Sequence, residues 1–271
     1  MNRGLMLKAV YEIWPATLFC GVLLFGVELL LAFVLPTFQG QFSDAMLQID
    51  FIQTLVGAML GVDIAGRLGP EVFAALPWVH PVALALVWAH VIQCCTRMPA
   101  GEIDRGTADI TLTLNVTRWE ILRSETATWI LAGLIVLVLG LAGNEIGWRF
   151  APAERRPDLG RTLIVFANLC CVYLAVGGLS WLASVFSDRR GLTILVVFVV
   201  LLSSLLLNFV AQFWDFAKHL SFLGILDYYR PLFILRDGKV PWGDMSVLLG
   251  LAIGLWIAAG IQFSRRDVCT T

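Results

Sequence analysis

Six long apolar stretches constrain this chain more than any other feature of its sequence. A helix needs about 20 mostly apolar residues to cross a membrane, and within the segment it satisfies its own backbone hydrogen bonds. The chain is 59% hydrophobic and 14% charged, well outside the composition of soluble domains. We therefore predict an all-α polytopic membrane protein, a single transmembrane domain over residues 1–271. Its six spans are predicted at residues 14–36, 75–96, 127–144, 162–186, 191–212 and 246–263.

Two further segments are apolar or aromatic but are not predicted to span. Residues 51–61 are too short to cross, so we predict an interfacial or re-entrant segment, with a seventh span as the alternative. Residues 213–245 mix Trp and Tyr with charges, a composition typical of the headgroup region. This segment is predicted to be an extracytoplasmic aromatic-rich loop with short helices.

The orientation follows from basic residues close to the ends of the spans. Arginine pairs at 189–190 and 265–266 stand directly beside apolar runs. Because short cytoplasmic loops are enriched in Lys and Arg, these pairs predict that both termini are cytoplasmic. The charged segment 97–126 then lies in the cytoplasm as well.

Segment 97–126 is a charged island between the second and third spans. Gly106 can break the chain before Thr107, which is predicted to cap a short helix. Thr117 and Glu120 have the spacing of a capping box, so the next helix is predicted to begin at Arg118. The alternation of apolar and polar residues over 110–116 is typical of a strand. A lone strand would have no pairing partner here, so we favour a short helix followed by a turn.

Motifs stand in a recognisable order along the chain. Glu102, Gly106 and Thr107 form E-x-x-x-G-T, and a short apolar helix and Arg118 follow. A Tyr-Arg-Pro sequence at 229–231 precedes a last span that ends in F-S-R-R-D-V, and the chain starts with an amphipathic segment. This order resembles that of type-2 ATP-binding-cassette (ABC) exporter permeases, a family that places an interfacial helix at the start, here 1–13. The chain differs in having no Pro in the turn at 115–117, and its loop after the fifth span is shorter than in many members.

The resemblance implies a permease subunit whose first cytoplasmic loop docks on a separate ATPase. It also implies a second permease copy, identical or not, in the cell (inner or cytoplasmic) membrane. The chain has no phosphate-binding G-x-x-x-x-G-K-[ST] loop, so ATP and Mg are expected on the ATPase, with no metal or cofactor on this chain. A net charge of −1 gives no reason to expect nucleic acid. The residues predicted to contact the ATPase are Glu102, Asp104, Gly106, Thr107, Arg118, Glu120, Asp188, Arg189 and Arg190.

Glu28 is a carboxylate in the middle of the first span. Intramembrane charges are costly and are suspected of function by default. It either lines a pathway or pairs with a polar group, the candidates being His90, Asn168 and Asn208. An ion-coupled secondary transporter or channel that uses Glu28 is therefore the alternative function.

An intramembrane enzyme is the remaining class. The three histidines form no H-E-x-x-H motif, and the six cysteines form no C-x-x-C pair. The sequence G-L-S-W-L at 178–182 begins like a nucleophile elbow but lacks its final glycine. We therefore predict that the chain is not an enzyme and that its cysteines are small buried side chains.

Overall fold

A computed structural model describes residues 3–41, 57, 60, 69–113 and 115–266. The fold is 86% helical, with no strand in the described ranges. Six of its helical segments are long and apolar enough to cross a membrane. The prediction of an all-α polytopic membrane protein with six spans is confirmed.

The helices follow one another along the chain as six spans and several short elements. α2 and α3 together form the second span, and α1, α6, α7, α8 and α11 form the others. A kinked segment, Arg97–Gly101, in which Met98 is extended, precedes α4. 3-10 turns occupy Ala153–Arg155, Ser221–Leu223 and Ile225–Tyr228. The α-helices are α1 (Arg3–Gln41), α2 (Pro70–Val79), α3 (Pro81–Cys95), α4 (Glu102–Asp104), α5 (Ala108–Leu112), α6 (Arg118–Trp148), α7 (Leu159–Phe186), α8 (Arg190–Val210), α9 (Asp215–Leu220), α10 (Pro231–Asp237) and α11 (Trp242–Arg265).

The beginning of the chain differs from the prediction. Residues 3–13 are not a separate interfacial helix, because α1 continues without a break from Arg3 into the first span. Leu5, Ala9 and Ile13 recur every four residues and are buried. This spacing places them on one helix face, so the first turns pack against the rest of the protein as part of α1.

The second span is broken where α2 meets α3. Pro81 disfavours a helical conformation at the preceding residue, and His80 is extended, with φ −60° and ψ 129°. The His80 ring accepts a hydrogen bond from the backbone N–H of Val82, which caps α3. The span therefore begins earlier than predicted, at Pro70, and consists of two helices.

Glycines allow α6 to lie directly against α1. A Cβ atom placed on Gly143 would lie 3.0 Å from backbone carbons of Phe25, and one on Gly147 would lie 2.7 Å from the carbonyl oxygen of Leu29. Membrane helices approach this closely where small residues face each other. The helix pair α1 and α6 forms the most extensive helix–helix contact of the bundle.

The elements gather at two ends of the bundle. We call one end the terminal end, because α1 begins and α11 ends there. It contains the first turns of α1, residues 97–125, residues 187–190 and Arg266. Ion pairs such as Lys8–Glu102 and Arg266–Asp188 join these segments. The opposite end contains the starts of α2 and α7 and residues 208–242. The predicted aromatic-rich segment 213–245 does contain short helices, α9 and α10. The predicted re-entrant segment 51–61 lies outside the described residues except for 57 and 60.

Candidate functional site

Arg97 is the centre of a buried ion network at the terminal end. It is 4% exposed, and its guanidinium donates to Glu12 Oε2 at 2.5 Å and to the carboxylate of Glu125. Burial acts to lower the pKa of Arg97, but the adjacent carboxylates of Glu125 and Glu12 outweigh it and raise the pKa. Arg97 therefore stays charged and joins α1 to α6.

Glu102 forms the second part of the network. It is 2% exposed and accepts hydrogen bonds from Lys8 Nζ at 3.0 Å, Arg105 Nη2 at 3.2 Å and Thr107 Oγ1 at 2.7 Å. Burial acts to raise the pKa of Glu102, but the hydrogen bonds from Thr107 and Lys8 and the two cations lower it. The Glu102 carboxylate is thus ionised and tied to α1. We call Lys8, Glu12, Arg97, Glu102 and Glu125 the ion network.

The turn between α4 and α5 depends on glycine. Gly106 has φ +69°, in the left-handed region, and a Cβ placed on it would meet nothing within 4 Å. Glycine is therefore required for its backbone conformation and not for space. The turn is closed by the Thr107 N–H, which donates to the carbonyl oxygen of Glu102 at 2.9 Å.

The short helix predicted after this turn is confirmed as α5, and the strand interpretation is wrong. The predicted role of Thr107 as a side-chain cap is also wrong, because it makes no capping hydrogen bond. Its hydroxyl is used instead by the Glu102 carboxylate. The sequence could not show that Thr107 donates to Glu102, because this contact depends on the left-handed turn at Gly106.

The start of α6 is fixed by two sets of contacts. The predicted capping box is confirmed, with the Glu120 N–H donating to Thr117 Oγ1 at 3.2 Å and the Thr117 N–H donating to Glu120 Oε2 at 2.9 Å. Arg118 donates to the carbonyl oxygens of Phe263, at 2.7 Å, and Arg266. Arg118 and Glu120 therefore hold α6 in place, and Arg118 joins it to the end of α11.

The structure brings the predicted second contact, residues 187–190, beside the first. Arg190 donates to the carbonyl oxygen of Gln93 at 3.0 Å, at the end of α3. Asp188 accepts a hydrogen bond from Arg266, and Arg189 is exposed. Ser184, just before this loop, accepts a hydrogen bond from the N–H of Ala100 at 3.2 Å. The second predicted region is therefore joined to the end of α3 and to Ala100, directly before the first region.

The side chains that α4 and α5 expose differ from those in the ion network. Ile110 is 69% exposed although it is a large apolar residue. Asp104, Arg105, Asp109 and Thr113 are exposed around it. We call these five residues the outer face. Of the predicted contact residues in this loop, Asp104 and Gly106 are exposed, whereas Glu102 is enclosed.

Sequence reasoning missed four of the five members of the ion network. Only Glu102 is among the predicted site residues, and Lys8, Glu12, Arg97 and Glu125 are not. A usable signal was present, because opposite charges stand at the ends of three predicted spans on the same side of the membrane. Such charges are expected to pair where the spans meet.

Glu28 is paired with a residue that the sequence analysis did not consider. It is 2% exposed and accepts a hydrogen bond from Asn144 Nδ2 at 2.8 Å. The contact joins α1 to α6. A cavity beside Glu28 has a volume of about 10 Å³, which is about the space of one water molecule.

The predicted partners of Glu28 are therefore wrong. His90 contacts Thr17 Oγ1 at 3.1 Å and the hydroxyl of Tyr173 at 3.0 Å. Asn168 donates to the carbonyl oxygen of Tyr228 at 3.3 Å. Asn208 lines a cavity at the opposite end. The pairing depends on which helices are neighbours, and α1 packs mainly on α6.

Comparison with known proteins identifies no relative of this chain. No protein-family model, curated protein or solved structure matches it. The function proposed below therefore rests on the residues and geometry of the two ends.

Proposed function

We propose that this chain is the permease subunit of an ATP-driven exporter of the type-2 ABC class. Its terminal end would face the cytoplasm in the cell (inner or cytoplasmic) membrane, and a separate ATPase would dock there. The observation that carries the proposal is an exposed outer face on α4 and α5 that the ion network ties to α1 and α6. This is the arrangement that a mechanical joint requires.

The ion network supports the transmission of force. Lys8–Glu102 links α4 to α1, and Arg97 links residues 97–101 to both Glu12 and Glu125. Both partners of the Arg97–Glu125 pair are buried, and removing one partner of such a pair costs about 3–5 kcal/mol, so this contact holds the joint together. A displacement of the outer face would move α1 and α6 with it. Such a displacement is useful only if ATP binding favours one of two arrangements of the bundle.

The chemistry of the outer face suits a protein partner. Exposed Ile110 is an apolar anchor, and the charges of Asp104, Arg105 and Asp109 surround it. Protein interfaces commonly combine an apolar centre with a polar rim. We therefore assign ATPase contact to the outer face and to Arg189. Glu102, Arg118 and Glu120 are assigned to holding the joint together.

The second permease copy and the transport of a substrate follow from the family resemblance. In this arrangement two copies of the chain and two ATPases form the working unit, with ATP and Mg on the ATPases. The surrounding lipid covers the exposed apolar faces of the spans.

The test is purification of the chain from its native membranes in a mild detergent, with mass spectrometry of what accompanies it. We expect an ATPase with a phosphate-binding loop in stoichiometric amount. Ile110→Asp should lose this ATPase, because a carboxylate replaces the apolar anchor. Leu223→Asp, an exposed apolar residue at the opposite end, is the matched control and should retain it.

Glu102→Gln separates docking from coupling. The variant keeps the outer face, so it should still bind the ATPase, but transport per ATP hydrolysed should fall. If no nucleotide-binding protein accompanies the wild-type chain, the proposal fails. The alternative ion-coupled carrier has less support, because Glu28 is bonded to Asn144 and borders a space of only about 10 Å³.

A further inference from the structure

A cavity of about 950 Å³ lies at the opposite end of the bundle. The described residues in its walls are Leu60 and residues of the start of α2, the end of α8, α9, the turn at 225–228 and α10. This volume is at the upper end of the range for ligand pockets, about 300–1,000 Å³. Neither the ion network nor the outer face contributes to it.

Among the described residues, the charged side chains that line this cavity are of both signs. The acidic residues are Glu71, Asp215 and Asp227, and the basic residues are Lys218, Arg230 and Arg236. Asp227 and Arg230 form an ion pair at 3.5 Å, and Arg236 pairs with Asp237, outside the cavity lining.

Three of these charges are available for a ligand. In the described ranges, the side chains of Glu71, Asp215 and Lys218 form no ion pair within 4.0 Å, although the Glu71 carboxylate interacts electrostatically with Arg236. Two carboxylates and one ammonium can therefore contact a bound molecule. Carboxylates suit an amine or quaternary ammonium group, and Lys218 suits a phosphate.

An apolar pocket of about 180 Å³ adjoins the cavity. The two share Asn208 and Tyr229 in their walls, and the Tyr229 hydroxyl donates to the carbonyl oxygen of Trp78 at 3.1 Å. The break at His80–Pro81 lies beside this pocket, which Pro81 lines. An apolar cavity of about 150 Å³ accommodates benzene, so this pocket has room for about six carbon atoms.

The apolar pocket reaches the surface that faces lipid. Leu206 and Phe209, both on α8, line the pocket and are 53% and 39% exposed. An alkyl chain can therefore extend from the pocket into the membrane while its polar group lies in the cavity. A charged cavity beside an apolar pocket matches the two parts of an amphiphile, a polar headgroup and an alkyl chain.

We propose that this end binds a zwitterionic amphiphile with a phosphate and an amine in its headgroup. The headgroup occupies the charged cavity, with the amine at Glu71 and Asp215 and the phosphate at Lys218. The alkyl chain leaves through the pocket beside Leu206. A zwitterionic headgroup offers a group of opposite charge to the carboxylates and to Lys218 at once, whereas a purely anionic or purely cationic headgroup gains only one of these contacts. That this amphiphile is the transported cargo rests on the proposed function, whereas its binding does not.

The experiment is native mass spectrometry of the purified chain, without any ATPase, in a nonionic detergent. Three probes with the same 14-carbon chain are titrated: lysophosphatidylcholine, lysophosphatidic acid and alkyltrimethylammonium. We expect lysophosphatidylcholine to bind about tenfold more tightly than the others, a typical effect of one charge-assisted contact. Equal binding of all three would overturn the proposal. Because no ATPase is present, this result is independent of the failure or success of the exporter proposal.

Two variants with matched controls locate the site. Lys218→Gln should weaken lysophosphatidylcholine about tenfold, because it loses the phosphate contact, whereas Lys239→Gln, exposed outside the cavity, should not. Leu206→Trp should reduce binding by filling the chain pocket. Leu195→Trp, equally exposed on α8 but away from the pocket, should leave binding unchanged. Equal losses in a variant and its control would contradict the assignment.

Discussion

The two ends of the bundle use charged side chains in opposite ways. At the terminal end, Arg97 and Glu102 are buried and each contacts two or more groups of opposite charge. At the opposite end, Glu71 and Lys218 line a cavity of about 950 Å³ and form no ion pair within the described part of the chain. One set of charges is satisfied internally, and the other is available to a ligand.

This difference separates two roles that a charged residue can have in a membrane protein. A buried and paired ion such as Arg97 holds one arrangement of helices, because losing a partner leaves a costly unpaired charge. Charges on the wall of a water-accessible cavity cost little to keep, and they contribute energy only when a ligand arrives. Substitutions in the ion network should therefore lower stability, whereas substitutions in the cavity should weaken ligand binding.

The largest effect on stability is expected at the centre of the ion network. Arg97→Met leaves Glu12 and Glu125 without their shared cation, and should lower the free energy of unfolding by about 3–5 kcal/mol. Denaturation in mixed detergent micelles measures this change in the free energy of unfolding. Arg189→Met, exposed at the same end, is the control and should change stability by less than about 0.5 kcal/mol. Similar values for both would show that the network is not what holds this end together.

A smaller effect is expected between the two ends, at Glu28. Asn144→Leu removes the donor to the Glu28 carboxylate and leaves a buried polar group without its partner, at a cost of about 1–3 kcal/mol. The double variant Glu28→Leu with Asn144→Leu should recover part of this loss. If Glu28→Gln instead abolished transport without changing stability, Glu28 would belong to a pathway.

The pH dependence of stability should reveal Glu102. Its folded-state pKa lies below the ordinary value of 4.5, so its contribution is fully present above about pH 4.5 and is lost as the pH falls through the lower folded pKa. Unfolding measured from pH 6 to pH 3 should be less pH-dependent in Glu102→Gln than in the wild type. Identical slopes would mean that Lys8 and Thr107 do not stabilise the ionised carboxylate.

The smallest effect is expected at the cavity. Glu71→Gln and Lys218→Gln should each change the free energy of unfolding by less than about 0.5 kcal/mol, because neither side chain forms an ion pair within the described ranges. Their effect should be confined to ligand binding. A loss of stability comparable to that of Arg97→Met would remove the distinction between the two ends.

The sequence predicted the parts of the fold that depend on local pattern. Apolar stretches identified all six spans, and the capping box at Thr117 identified the start of α6 at Arg118. The chain break at Gly106 and the short helix α5 were also predicted from local rules, whereas the left-handed conformation of Gly106 was not. These features depend on a few neighbouring residues, so a single sequence contains the information.

The sequence did not predict the contacts that depend on which helices are neighbours. The pairing of Glu28 with Asn144 requires α1 to lie against α6, and three other partners were equally plausible from the sequence. Arg118 was predicted to contact an ATPase, whereas it donates to carbonyl oxygens near the end of α11. The cavity was missed altogether, because its walls come from segments far apart in the chain.

The central claim is that the outer face of α4 and α5 is the docking surface for an ATPase. The most direct measurement is photo-crosslinking in native membranes from a photoreactive amino acid at Ile110, with Leu223 at the opposite end as the reference position. The account predicts that position 110 captures an ATPase with a phosphate-binding loop and that position 223 does not. Capture of no ATPase at position 110, or of the same proteins at both positions, would contradict it.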